Sequence, residues 1–508
     1  MNGPALAPQR FAALARPAWA LPLALAAGLA AVPGFAPLGL FPLPILALAL
    51  LALIAARASS PRAAALAGFA FGFGLFAAGV GWITVALHVY GGMALVLALM
   101  VLALFAAYLA LWPALACWAA ARFAPRAAWL GLPAAWCLAE WLRGWAFTGF
   151  PWLALGYSQV PWSPLAGLAP LAGVYGVGLA VALSAALLAR VMLAQAPRQR
   201  RAPALALALL WALSAMLSAV DWTRQAGAPV AVSLVQGNIA QDLKFDEAQL
   251  SRTLGAYESL ARQARGQLVI LPETAIPLFR HQLPPEWFDQ LASAVRGRGG
   301  DLVTGLFEND PPGSERYFNA AASFGASPSQ SYRKNHLVPF GEYIPVGAVL
   351  KPLVNGVLHI PLSDQTPGGA TQPPLAVAGQ RLAVNICYED VFGEEIARAL
   401  PAATLLANLT NDAWYGDSWA AEQHLQISQM RALETGRPML RATNTGMTAV
   451  VDHRGRVRAS LPEFRAGVLE ASIAGRTGST PFTLAGNAAA VLTAALLFLV
   501  AARRSRRA

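Results

Sequence analysis

Acidic residues are confined to one part of this chain, and their confinement limits the folds it can adopt. Of 26 aspartates and glutamates, only Glu140 precedes Asp221, and the others lie between Asp221 and Glu470. The first 220 residues are otherwise almost wholly apolar, and another apolar run covers residues 482–502. Apolar segments of about 20 residues are typical of helices that cross a lipid bilayer. The sequence therefore predicts a polar domain held between membrane segments.

Eight segments are apolar and long enough to be interpreted as membrane-spanning helices. The first two are short and are separated by the turn at Pro33–Phe35, so they could instead form a single helical hairpin. The first also resembles a secretory signal, but because further apolar segments follow it we interpret it as uncleaved. The eight segments are residues 17–32, 37–56, 63–86, 92–116, 127–142, 165–190, 203–220 and 482–502.

The arginines indicate how these segments are oriented. They precede the first segment, follow the last and occupy every second loop, whereas the intervening loops carry only Arg143. By the positive-inside rule the basic loops and both termini are cytoplasmic, and eight crossings then place the polar domain on the opposite face. We therefore predict a transmembrane bundle at 1–220, an extracytoplasmic domain at 221–480, and a C-terminal membrane helix with a basic tail at 481–508. The net charge of +11 arises mostly from this arginine bias, so no nucleic-acid partner is expected.

The polar domain alternates short runs of β-branched residues with segments of helical periodicity. Such alternation predicts an α/β domain in which helices cover the faces of sheets. The predicted strands are residues 230–236, 268–271, 302–307, 382–387, 404–409 and 447–451, and the predicted helices are residues 246–264, 285–297 and 419–435. The sequence contains no internal repeat and no glycine-rich nucleotide-binding loop.

Three segments each place a reactive side chain just beyond a buried strand. They are LPETAIP with Glu273, RKNHLVPFGEYIP with Lys334, and NICYED with Cys387. A thiol becomes a strong nucleophile when a base removes its proton, and a buried carboxylate can serve as that base. An ammonium group can stabilise the oxyanion that forms when the thiolate attacks a carbonyl carbon. The three side chains therefore indicate nucleophilic catalysis by a cysteine.

The rarity of lysine supports a special role for Lys334. The chain has 34 arginines and three lysines, of which Lys244 and Lys351 are the others. A lysine retained among so many arginines favours a task that needs a compact ammonium group, although a leftover surface lysine is the alternative. Cys117 and Cys137 fall in apolar segments and are interpreted as buried thiols. The six histidines lack metal-ligand spacing, so we expect no metal ion and no cofactor.

The motifs LPETAIP, RKNHLVPFGEYIP and NICYED, in this order, resemble the Glu-Lys-Cys signature of the carbon–nitrogen hydrolase (nitrilase) superfamily. With membrane segments on both sides of the domain, the whole chain resembles the apolipoprotein N-acyltransferase family of bacterial lipoprotein maturation. The stretches VSLVQGNIAQDLKFD and NLTNDAWYGDS are similar to that family as well. The resemblance implies an extracytoplasmic α-β-β-α sandwich joined to an α-helical membrane bundle.

The resemblance also implies roles for the residues that match these motifs. Glu273 is similar to the general base, Lys334 to the lysine that stabilises the oxyanion, and Cys387 to the nucleophile. Glu342 matches the second glutamate, which holds the lysine and the reacting groups in place.

Further positions match residues that support activity or contact lipid in that family. Tyr388 and Glu389 match supporting positions, although Glu389 and Asp390 could instead be an acidic pair at a helix N-terminus. We expect that helix N-terminus to lower the pKa of Cys387. The aromatic residues of the two flanking stretches are candidates for lipid contact, with core packing as the alternative. These candidates are Phe245, which stands where the family commonly has tryptophan, together with Trp414 and Tyr415.

The implied function is the transfer of a fatty acyl chain from a phospholipid, through a cysteine thioester, to an apolipoprotein. The acceptor is the α-amino group of the diacylglyceryl-modified N-terminal cysteine. The implied location is the bacterial inner membrane, with the domain in the periplasm, and we expect a monomer.

Three alternatives follow from the same residues. A membrane-tethered amidase or nitrilase would use the same triad to hydrolyse a C–N bond. A transporter or lipid-scaffold protein would use the polar domain only for binding, and charged residues within the membrane would favour it. His336, two residues beyond Lys334, could pair with Cys387 as in thiol proteases.

Overall fold

A computed structural model of the chain describes residues 17–242, 244, 247–345 and 364–507. Over these residues the chain divides into two compact units, one helical and one with two β-sheets.

The helical unit contains residues up to Gly81, Leu99–Val220, and the chain from Asn487 onward. Each of the eight predicted apolar segments coincides with a helix among the described residues. These are α1 (Pro17–Ala31), α2 (Pro42–Arg57), α3 (Pro61–Gly79), α4 (Leu95–Phe123), α5 (Ala128–Arg143), α6 (Ala169–Leu193), α7 (Pro197–Leu217) and the C-terminal helix (Ala488–Arg507). By length and composition, five of the described helices can cross a membrane: α3, α4, α6 with its preceding turn, α7 and the C-terminal helix. The helices α1 and α2 are apolar but shorter. Eight crossings stay a prediction.

Small residues let the backbones of α1 and α3 approach closely. A Cβ atom added to Gly28 would lie 2.0 Å from the carbonyl oxygen of Phe71, and one added to Gly74 would lie 2.4 Å from that of Leu25. Close backbone approach at small residues is how helices associate in lipid, where apolar burial between them contributes little.

The charged side chains of α5 bind loop backbone. Glu140 Oε1 accepts a hydrogen bond from the Leu155 amide at 3.0 Å. Arg143 Nη1 donates to the carbonyl oxygens of Phe150 and Trp152 at 2.6 and 2.7 Å. A charged residue within the membrane would favour a transporter, but Glu140 stabilises a loop of its own unit.

The second unit contains Trp82–Ala98 and Asp221–Gly486, and its described residues form two six-stranded mixed sheets. The first sheet has the order β12-β1-β2-β3-β4-β5, and the second has the order β11-β10-β9-β8-β7-β6. The first six strands are β1 (Arg224–Gln236), β2 (Leu268–Ile270), β3 (Asp301–Asn309), β4 (Tyr317–Gly325), β5 (Ser331–Arg333) and β6 (Leu375–Val377). The others are β7 (Gln380–Ile386), β8 (Leu405–Thr410), β9 (Met439–Thr443), β10 (Ala449–Val451), β11 (Val457–Ser460) and β12 (Gly467–Thr477).

Helices cover the outer faces of both sheets. The sheets share a buried core that includes Leu234, Ile270 and Leu405. On the outer face of the first sheet lie α8 (Glu247–Gln263) and α9 (Pro285–Arg296), and on that of the second lies α10 (Ala420–Thr435). The expected four-layer α-β-β-α sandwich is confirmed.

All the predicted strands and helices of this domain are present, but half of the strands were not predicted. The strand β4 shows why, because its sequence YFNAAASFG is rich in alanine and has weak intrinsic strand preference. It is a strand because it pairs antiparallel with β3 over its whole length, from Asp301↔Gly325 to Asn309↔Tyr317. Pairing with the preceding strand thus overrides local preference.

Candidate active site

The three predicted catalytic residues follow the ends of strands in the two sheets. Glu273 comes after β2, which is parallel to β1 and β3, and Lys334 comes directly after β5. Cys387 follows β7, which is parallel to β8. Side chains beyond the carboxyl ends of parallel strands are where α/β domains commonly build sites.

Lys334 joins the two glutamates. Its Nζ lies 2.7 Å from Glu342 Oε1 and 3.4 Å from Glu273 Oε1, and its side chain is 1% exposed. Burial by itself would lower the pKa of Lys334, but the charges of Glu342 and Glu273 outweigh burial and raise that pKa above its usual range. Lys334 is therefore a fixed cation. The carboxylate of Glu342 is itself held, because Oε2 accepts a hydrogen bond from the Val338 amide at 2.8 Å.

Two residues that the sequence analysis did not assign also contact Glu273. The side-chain amide of Asn319, within β4, donates to Glu273 Oε1 at 2.8 Å and to Glu342 Oε1 at 3.3 Å. Lys244 Nζ donates to the carbonyl oxygen of Glu273 at 3.0 Å. Burial lowers the pKa of Lys244 to about 8, although the charges of Glu273 and Cys387 oppose that shift. The site thus holds two buried lysines whose pKa values are shifted in opposite directions.

Cys387 has a left-handed backbone and a thiol whose surroundings favour the protonated form. Its φ angle is 52°, and the residue keeps some exposed surface. Burial raises the pKa of the thiol above its usual range, the charge of Glu273 raises it further, and Lys334 opposes both. The expected lowering of this pKa by a helix N-terminus is therefore wrong. Cys387 begins a single 3₁₀ turn, Cys387–Val391, so few aligned peptide dipoles face the thiol, and burial dominates.

Glu389 lies inside a shell of hydrogen-bond donors. Its carboxylate accepts from the amides of Ile386, Asn335 and His336 and from the hydroxyl of Tyr332, at 2.7 to 3.0 Å. Burial raises the pKa of Glu389 to about 7, against the effect of the backbone donors. Glu389 thus joins the turn that carries Cys387 to the segment that carries Lys334.

The neighbours of Cys387 in sequence pack against aromatic rings. The Tyr388 ring lies 5.3 Å from that of Phe392, and the His336 ring stacks on Phe392 at 3.6 Å. His336 Nδ1 also lies 3.1 Å from Glu395 Oε1. His336, the alternative partner of the Cys387 thiol, thus contacts Phe392 and Glu395.

Two of the aromatic candidates for lipid contact pack against the segment Trp82–Ala98. The Tyr415 ring lies 4.6 Å from Trp82, and the Trp414 ring lies 6.0 Å from Tyr90, both edge-on. The remaining candidate, Phe245, lies outside the described residues.

Lone polar residues inside apolar strands are the signal that could have identified the unassigned side chains. Examples are Asn319 in YFNAAASF, Asn408 in LLANLT and Arg441 in MLRAT. A polar group on a buried strand requires a partner, so each of these residues indicates a polar network. Asp412, within the stretch NLTNDAWYGDS, and His424, which lies in no motif, belong to the network of Arg441.

The shell of donors around Glu389 leads to a prediction about stability. In Glu389→Gln, the amide group would face at least one backbone N–H, so a buried donor would lose its acceptor. We expect the free energy of unfolding to fall by about 2–4 kcal/mol, because unsatisfied buried donors carry their full desolvation cost. The midpoint of thermal unfolding in detergent measures this loss. The matched control is Asp289→Asn, which removes an exposed carboxylate paired with Arg296 and should change the midpoint little. Equal midpoints for the two variants would contradict the prediction.

Comparison with known proteins gives the same division of the chain. A family model described as apolipoprotein N-acyltransferase N-terminal domain matches residues 27–187, and one described as carbon-nitrogen hydrolase matches residues 231–482. Among solved structures, an amidase of the nitrilase superfamily from Nesterenkonia AN1 is 20% identical, with a TM-score of 0.37, over 52% of this chain and 96% of that chain.

Two relatives are similar over almost the entire chain, and both are named apolipoprotein N-acyltransferase. The relative from Nitrosomonas europaea is 51% identical over 94% of this chain and 95% of its own length. The relative from Ralstonia nicotianae is 44% identical over 97% of this chain and 95% of its own length. The chain belongs to the apolipoprotein N-acyltransferase family.

Proposed function

We propose that this chain transfers a fatty acyl group from a phospholipid to the α-amino group of a diacylglyceryl-modified apolipoprotein, through a thioester on Cys387. The observation that carries the proposal is the contact of one buried ammonium group, on Lys334, with both Glu273 and Glu342, close enough to Cys387 for the charges of Glu273 and Lys334 to act on its thiol. The names of the relatives support an apolipoprotein acceptor and the transfer of an acyl group to nitrogen.

In the first half-reaction, the carboxylate of Glu273 takes the proton from Cys387. The raised pKa of the thiol makes such a base necessary at the moment of attack. The thiolate attacks the ester carbonyl carbon of the phospholipid, and Lys334 stabilises the oxyanion. The C–O bond then breaks, Glu273 returns its proton to the leaving alkoxide, and a lysophospholipid and a thioester remain.

In the second half-reaction, the amine of the acceptor attacks the thioester. Glu273 takes a proton from the nitrogen as the C–N bond forms and the C–S bond breaks. The thiolate is then reprotonated from Glu273. The amide product is more stable than the thioester, so the equilibrium favours transfer.

We place the chain in the bacterial inner membrane with eight crossings, cytoplasmic termini and a periplasmic catalytic domain, which corresponds to residues 221–480. Large apolar side chains on the helices support the membrane location, since Leu104, Leu205 and Leu492 are 71%, 61% and 69% exposed. Such surfaces are stable in lipid and unfavourable in water. We propose that Phe245, Trp414 and Tyr415 contact lipid, that Tyr388 and Glu389 support activity, and that the chain acts as a monomer.

Labelling without an acceptor tests the proposal. The purified protein in detergent micelles, given phospholipid with a radiolabelled acyl chain, should gain one label on Cys387 that hydroxylamine removes. Adding a diacylated lipopeptide with a free N-terminal amine should move the label to that peptide as an amide, whereas the N-acetylated peptide should not accept it. Glu273→Gln should prevent the first labelling, because an amide cannot take the thiol proton.

A label that appears only with the acceptor present would mean direct transfer and would contradict the thioester. Release of free fatty acid at an undiminished rate without an acceptor would favour the membrane-tethered hydrolase.

A further inference from the structure

A second cluster of charged side chains lies behind Cys387, and the proposed reaction does not use it. It contains two carboxylates and two cations from separate elements, each 4% exposed or less, and we call it the buried charge cluster. Its members are Asp390, Asp412, His424 and Arg441. Arg441 bridges the aspartates, at 2.8 Å from Asp412 Oδ2 and 3.4 Å from Asp390 Oδ2. The formal charges cancel when His424 is protonated.

The imidazole of His424 is surrounded by acceptors. Its Nδ1 lies 2.9 Å from Asp412 Oδ1, and its Nε2 lies 2.9 Å from Asp390 Oδ1 and 3.3 Å from the carbonyl oxygen of Cys387. Carboxylate and carbonyl oxygens offer no proton, so both ring nitrogens must donate, and the ring is an imidazolium. Burial and Arg441 lower the pKa of His424, but the two aspartates outweigh them and raise it to about 9. Geometry and electrostatics therefore agree that this ring is cationic at neutral pH.

The cluster holds the peptide of the nucleophile. The carbonyl oxygen of Cys387 accepts from Asn408 Nδ2 at 3.0 Å as well as facing His424. Arg441 in turn donates to Asn408 Oδ1 at 2.7 Å. A non-glycine residue at φ 52° persists only where its surroundings fix it, and these donors do so.

The cluster also acts on the protonation of the Cys387 thiol. The charge of Asp412 raises the pKa of Cys387, whereas the Thr410 side chain lowers it, and the Thr410 hydroxyl donates to Asp412 Oδ1 at 3.3 Å. His424 and Arg441 are the cations that face Asp412, and they lower its pKa to about 2. The other charged groups that act on Cys387 are Glu273, Lys334 and Lys244.

We propose that His424 is a positioning residue, a cation that holds the carbonyl group of Cys387 and cancels the negative charge of Asp412 near the thiol. The inference deepens the proposed function and rests on it, because it assumes that Cys387 is the nucleophile. His424 acts through Cys387 in both half-reactions and does not touch the acyl group.

Three variants separate this charge role from simple packing. The readout is the rate of Cys387 alkylation by iodoacetamide as a function of pH, located by peptide mass spectrometry. At pH 7, His424→Gln should react about 10- to 100-fold more slowly than wild type, since one pKa unit of the thiol is a factor of ten in thiolate. Asp412→Asn should react about 3- to 10-fold faster, and the double variant should lie within about threefold of wild type, because its charges balance again.

A packing role predicts slower alkylation in all three variants, and that result would overturn the proposal. An unchanged rate in His424→Gln would overturn it too. Should His424→Gln fail to fold, the sign of the change in Asp412→Asn still decides the question. The readout uses no lipid, so it can succeed or fail independently of acyl transfer. If it succeeds while wild-type protein forms no acyl-enzyme, only the proposed function is wrong.

Discussion

Replacing Cys387 by serine is expected to abolish acyl transfer while leaving the protein folded and inserted in the membrane. The hydroxyl of serine is far less acidic than a thiol, and Glu273 is too weak a base to activate it. Formation of the acyl-enzyme should fall by about 10³-fold or more, a loss typical of removing a nucleophile. The labelling assay with radiolabelled phospholipid measures this loss directly, and the yield of N-acylated lipopeptide should fall in parallel.

The matched control is Cys117→Ala, which removes a buried thiol from the helical unit. It should keep acyl transfer close to wild type, since Cys117 takes no part in the proposed reaction. Wild-type acylation by the Cys387→Ser variant would remove Cys387 as the nucleophile.

Replacing Lys334 by arginine is expected to be nearly as damaging as replacing it by alanine, although arginine keeps the charge. The Nζ atom lies between two carboxylates in a site that leaves the side chain 1% exposed. A planar guanidinium is larger than an ammonium group and cannot place one compact donor at the same point. We expect acyl-enzyme formation to fall by about 10²- to 10³-fold, the usual cost of losing an oxyanion donor.

The neighbouring residue supplies the control for Lys334. Arg333→Lys changes a partly exposed cation paired with Glu308 and Asp310 and should leave the rate of acylation within a few-fold of wild type. A Lys334→Arg variant that forms the acyl-enzyme at a similar rate would show that Lys334 does not stabilise the oxyanion.

Sequence patterns predicted the elements of the domain where the pattern is local. The β-branched run before Gly237 and the apolar run before Pro272 became β1 and β2, because their own apolar side chains pack into the core that the two sheets share. The strands β4 and β12 were not predicted, since they depend on pairing: β4 pairs with the preceding strand β3, and β12 pairs along β1, more than 200 residues away.

The motifs likewise identified the side chains with reactive groups but not all of their partners. Glu342 was expected beside Lys334 through the family resemblance, and the two are 2.7 Å apart. The contacts of Asn319 and Lys244 with Glu273 were not expected, because neither residue belongs to the three motifs with reactive groups, and local sequence does not show which side chains the fold brings together.

The sequence by itself determined the apolar segments, the α/β character of the polar domain and its membership of a family. These properties follow from hydrophobic periodicity and short motifs, which are written in neighbouring residues. Only the tertiary structure decided that Cys387 has a raised pKa and that Asp390, Asp412, His424 and Arg441 form one neutral cluster behind it. Burial and charge pairing arise between residues far apart in the chain, so their energies exist only once the sheets have packed together.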